Sequence, residues 1–279
     1  MVLISRIVNE RTVDIWQLEM ARLKFNRFEE IAIQNTLEAC RHLFARRDAL
    51  DALRSEIAPS PNPEWSTGPT DHQQTELHRL TVSYFDTYYS TLSQFSSLVA
   101  RFSGVFDRNF ADNGPFLKWA VARFEIQRPL QDELEKSRLF RAILAHPQQF
   151  PPYDWATTAF DSYPGIHIVL WGPLGRGAKP IPEGARTDHP LAVQFPEWQF
   201  DAPDEVSATN SLLSLGTYIL SDILAANASA SPFAHSLTVE QARARIIPTG
   251  SPMSREDRYT KSLFEVGGAG PAPTTKEWK

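Results

Sequence analysis

No proline occurs before Pro59 and no glycine before Gly68, whereas ten of the 21 prolines crowd between Pro147 and Pro203. Proline lacks an amide hydrogen and locks its own backbone torsion, so it marks where helices cannot continue. A chain punctuated in this way can build long helices early and only irregular or extended structure in its middle. With 42% hydrophobic and 22% charged residues, it also has ample material for a buried core.

The apolar residues of the first segment, about Val13 to Ile57, step by three and four: Trp16, Met20 and Leu23, then Ile33, Leu37, Cys40 and Phe44, then Leu50, Leu53 and Ile57. Offsets between these sets predict either one long bent helix or a break near Asn26 to Asn35. The proline-rich stretch Ala58 to Asp71 reads as an exposed loop. A second long helix is predicted over about Asp71 to Phe106, and two such helices pack most simply as an antiparallel hairpin. Asp112-Asn113-Gly114-Pro115 opens a short apolar helix, and Pro129 opens another that ends near His146, before Pro147. Ile166 to Trp171 reads as a buried strand, Leu191 to Phe200 as a weaker one, and Trp171 to Gly177 as a turn. A last helix over about Pro203 to Ala226 shows one apolar side, and Val239 to Ile246 adds a short one. The fold class expected is therefore mainly α. A helical bundle spans 1–146, a proline-rich, partly β insertion 147–202, a returning packed helix 203–248 and a flexible tail 249–279, all within one domain.

Several functions are disfavoured by composition. The formal charge of −5 argues against non-specific binding of duplex DNA. Cys40 is the only cysteine, which removes disulfide scaffolds and multi-cysteine zinc sites. No apolar run approaches membrane-spanning length and no signal-peptide core is evident, so a cytoplasmic chain without membrane contact is expected. There is no HExxH and no phosphate-gripping glycine loop, so neither metal nor cofactor is expected. His72 and His78 fall on opposite sides of their helix and read as surface residues. The clusters Arg41 to Arg47 and His72 to Arg79 show how freely arginine and histidine come together in this chain. Tyr153, Trp155, Trp171 and Trp198 could gather beneath the insertion, with aromatic packing the simpler account.

The informative segment is Ser137 to His146. Advancing about 100° per residue from Leu130, Leu134 falls near 40°, Leu144 near 320° and Arg141 near 20°. Arg141 thus interrupts an apolar arc and must find an acid, a cleft or a partner subunit, because an unpaired buried guanidinium is costly. His146 lies about 140° away from it on the same count.

An arginine followed after four residues by histidine, late in a helical bundle, resembles the R-x4-6-H motif of the HEPN superfamily, through Arg141 and His146. The resemblance spans roughly 13–146 and the helix near 203–226. It implies a metal-independent endoribonuclease of a toxin or defence system, acting on RNA as a homodimer, with a neutralising partner protein where the chain is a toxin. Carried over, Arg141 and His146 form the catalytic pair, with Lys136 and Arg138 as the RNA-binding companions. Family motifs commonly place Asn directly after the arginine, where this chain has Ala142. The alternative is a catalytically inactive member, or a non-enzymatic helical protein–protein interaction module in which Arg141 makes an internal ion pair and His146 caps its helix.

Overall fold

A computed structural model describes residues 10–57, 69–160, 163–174, 179–187, 197–228 and 238–246. All of them lie in one compact unit, Val8–Ile247. The flexible tail of 249–279, the exposed loop expected between Pro59 and Gly68 and the strand expected at 191–196 fall outside the described residues.

The fold is mainly α, as the periodicity predicts. Helix α1 (Glu10–Ala21) is followed by α2 (Arg27–Ile57), so the first segment breaks at the early edge of the expected interval. Asn26 causes the break. Its side-chain oxygen accepts from the Phe28 and Glu29 amides at 2.9 and 3.1 Å, while the Glu29 carboxylate accepts from the Asn26 amide at 2.9 Å. This reciprocal cap satisfies amides that a helix start leaves without partners.

Helix α3 (Asp71–Arg101) opens on a second reciprocal cap between Thr70 and Gln73 and packs along α2. It ends one turn earlier than predicted. Phe102 leaves helical geometry, its ring buried edge-on against Phe25 at 5.5 Å, before a single turn, α4 (Ser103–Phe106). Helices α5 (Asn113–Arg123) and α6 (Arg128–Ala145) begin where Asp112 and Pro129 direct them.

Among the described residues, the middle segment contains three antiparallel strands, β1 (Asp154–Phe160), β2 (Tyr163–Pro173) and β3 (Glu197–Asp201), in the order β1-β2-β3. β1 is a strand that the periodicity did not mark. Trp171, Gly172 and Pro173 end β2 rather than forming a turn. Gly172 is required there because a Cβ would lie 2.0 Å from the Pro152 carbonyl oxygen. The inner face of the sheet carries Ile166, Ile168, Leu170, Trp198 and Phe200 into the core.

Helix α7 (Glu205–Ala228) is buried nearly all round rather than on one side, and it packs on α1, α2, α3 and α6. By length and composition it could cross a bilayer, but most of that stretch is enclosed by the bundle, as expected of a central core helix. A Cβ on Gly216 would stand 2.4 Å from the Phe95 ring and 2.9 Å from Trp16, so the close approach of α7 depends on that glycine. Helix α8 (Val239–Ile246) closes this side, accepting a hydrogen bond from the Trp16 indole through the Ile246 carbonyl at 3.3 Å.

Candidate functional site

The two motif residues lie at the C-terminal end of α6, and neither is in the core. The buried residues of this helix are Leu134, Ser137, Phe140 and Ile143. That line drifts away from Arg141 as α6 crosses its neighbours, so an arginine that the helical wheel puts within the apolar arc reaches the rim. Its guanidinium lies over the Tyr89 ring at 4.4 Å, and its Nε donates to the Asp86 carboxylate at 3.3 Å. Both partners come from α3. The Arg141 side chain keeps 25% of its surface and Asp86 keeps 57%, so the pair is open to water on the acid side.

His146 is the exposed C-cap of α6, its amide donating to the Ala142 carbonyl at 3.0 Å. Tyr153 donates to the Ile143 carbonyl at 3.2 Å, satisfying another group that the helix end leaves open. Arg141 and His146 are separated by about 140° of rotation and roughly 7.5 Å of rise. Arg138 shares the side of Arg141 and pairs with Glu135 at 2.9 Å. Lys136 is turned about 140° from Arg141 and does not join them.

Asp86 links this surface to a feature formed by two helices. A groove of about 620 Å³ runs between α2 and α3, with His42 and Arg46 on one wall and Arg79, Val82 and Asp86 on the other. His42 pairs with Glu38 at 3.1 Å. Arg79 forks onto Glu76, holding that carboxyl below its usual range by hydrogen bonding and charge. Arg46 is exposed and makes no ion pair among the described residues. Of the charged groove residues, His42 and Arg46 belong to the cluster Arg41 to Arg47 and Arg79 to the cluster His72 to Arg79. Only helix pairing brings those clusters together.

His78 departs from its expected surface position. Its ring stacks on Trp155 at 4.6 Å, its Nε2 is buried without a hydrogen bond, and burial lowers its pKa. Tyr153 meets Trp198 edge-on at 6.0 Å, but Trp155 turns to Phe140 and Trp171 is 38% exposed, so the four aromatics do not form one pocket. Cys40 is fully buried, and burial pushes its thiol pKa far up, so it is an inert core residue.

A buried ion pair lies elsewhere in the bundle. Arg54 of α2, 3.3 Å from the Glu205 carboxylate of α7, also donates to the Ile166 carbonyl of β2 at 2.6 Å. One guanidinium therefore ties the hairpin, the central helix and the sheet together. Among the described residues, no three His, Cys, Asp or Glu side chains converge as a metal site. Comparison of the chain with protein-family models, curated proteins and solved structures finds no match.

Proposed function

We propose that the end of α6 is the working surface of a HEPN-like, metal-independent endoribonuclease that acts on RNA as a homodimer. The observation that carries this reading is the placement of both motif residues at solvent: Arg141 half-buried and oriented by Tyr89 and Asp86, and His146 exposed at the helix end. A guanidinium oriented by an aromatic ring is ready to meet a phosphate, and an exposed imidazole offers its ring nitrogens to a substrate hydroxyl. In the proposed reaction, the RNA 2′-oxygen bonds to phosphorus as the bond to the 5′-oxygen breaks. The His146 of one copy accepts the 2′-hydroxyl proton and that of the other supplies a proton to the leaving 5′-oxygen, while Arg141 offsets charge on the phosphoryl oxygens. One copy holds the pair on different sides of α6, so the reading requires the Arg141 and His146 of two copies to line one cleft.

A second reading, a non-enzymatic interaction module, is favoured by one observation: Asp86 and Glu135 already engage Arg141 and Arg138. Incubating labelled single-stranded RNA with the protein in the presence of a chelator separates the two. The nuclease reading expects cleavage by the parent chain that is lost in both Arg141→Ala and His146→Ala. Equal cleavage by parent and variants, or cleavage by none, would leave the interaction module.

A further inference from the structure

We infer that the groove between α2 and α3 is the track along which single-stranded RNA reaches Arg141, an inference that rests on the endoribonuclease reading. The groove and Arg141 share Asp86, which lines the first and holds the second at 3.3 Å. Along α3 the groove extends from Arg79 to Thr91, roughly 18 Å at the rise of a helix, enough for a short run of nucleotides.

The chemistry of the walls suits a polyanion that carries sugars and bases. Arg46 makes no ion pair among the described residues, and Arg79 spends only its Nε and Nη2 on Glu76. Both can turn N–H groups toward phosphates at one end of the groove. Thr87 and Ser90 donate their hydroxyl protons to the Ser83 and Asp86 carbonyls at 2.8 and 2.9 Å. Their oxygens remain as acceptors, matched to ribose 2′-hydroxyls and base N–H groups. A docking protein helix would need apolar pockets at helical spacing, whereas among the described residues Val82 is the one large apolar side chain lining the groove. At the Arg141 end, an arriving phosphate would take the place of the Asp86 carboxylate on the guanidinium.

The test measures anisotropy of a labelled single-stranded RNA of about twelve nucleotides, within the usual site range for such binders. The full chain carries His146→Ala to prevent turnover, with and without Arg46→Gln and Arg79→Gln together. The expected result is at least tenfold weaker binding, with the slope of log K against log salt reduced by about 1.4 for two lost phosphate contacts. Arg46→Lys with Arg79→Lys should keep the slope, and matching thermal melts would show that the variants are folded. Unchanged affinity and slope, or no RNA binding by the parent, would overturn the inference. Cleavage assays on the same substitutions with His146 restored distinguish the two levels. Cleavage with an unchanged KM would refute the track and leave the nuclease. Groove-dependent binding without any cleavage would refute the nuclease and leave the track.

Discussion

Removing Arg54 should destabilise the bundle strongly. Its guanidinium is 7% exposed and faces a Glu205 side chain that is fully buried. In Arg54→Ala the carboxylate loses its counter-charge in a water-poor interior and the Ile166 carbonyl loses its donor. Breaking a buried pair from one side costs about 3–5 kcal/mol. Against a total stability of about 5–15 kcal/mol, that is a large share. For a domain of this size, a loss of about 4 kcal/mol corresponds to a melting temperature lower by roughly 8–16 °C. Urea unfolding followed by tryptophan fluorescence and circular dichroism would measure it directly. Glu205→Gln should be destabilising in the same sense. The double change Arg54→Met with Glu205→Leu should recover much of the loss, because two apolar side chains of similar volume remove both charges' desolvation penalties, but should stay about 1–3 kcal/mol short while the Ile166 carbonyl lacks its donor. A loss below about 1 kcal/mol in Arg54→Ala, or a double variant as unstable as the sum of the singles, would refute a coupled buried pair.

Three further outcomes follow from the packing. Gly216→Ala should lower stability by about 1–3 kcal/mol, despite alanine's better helix propensity, because the new methyl meets Phe95 and Trp16; thermal melts check this. Asn26→Ala should cost about 1 kcal/mol through loss of its cap, and hydrogen exchange should report faster opening in the first turn of α2. Burial lowers the His78 pKa, so the unfolded chain takes up its proton more readily than the folded one. The stability held above the ordinary value of 6.5 should therefore decline as pH falls through the lower folded value, and His78→Gln should flatten that part of the profile.

How much was legible from residues alone differs between the helices and the site. Trp16, Leu37, Phe44, Tyr84 and Phe95 are buried where their spacing placed them, since a helical stripe is a property of neighbouring residues. The start of α6 followed from Pro129 for the same local reason. The periodicity does not mark β1, because its sequence, Asp154 to Phe160, lacks the strong alternation of a half-buried strand and is extended by pairing with β2. Arg141 was recognised as an arginine in need of a partner, but the partner, Asp86, lies 55 positions earlier. The groove was unreadable for a similar reason: Arg46 and Arg79 become neighbours only when α2 folds back along α3.

The sequence by itself determined a mainly helical chain, because the absence of early glycine and proline and the three–four stepping of apolar residues act within a single helical turn. It also determined where several of those helices start or stop, through Asn26, Asp112, Pro129 and Pro147. Tertiary structure alone decided that α7 is the centre of the bundle, that Arg54 and Glu205 meet inside it, and that Arg141 is held at the surface beside a groove. Those outcomes depend on the angles and distances at which helices cross, set by packing at residues such as Gly216, and no local pattern encodes them.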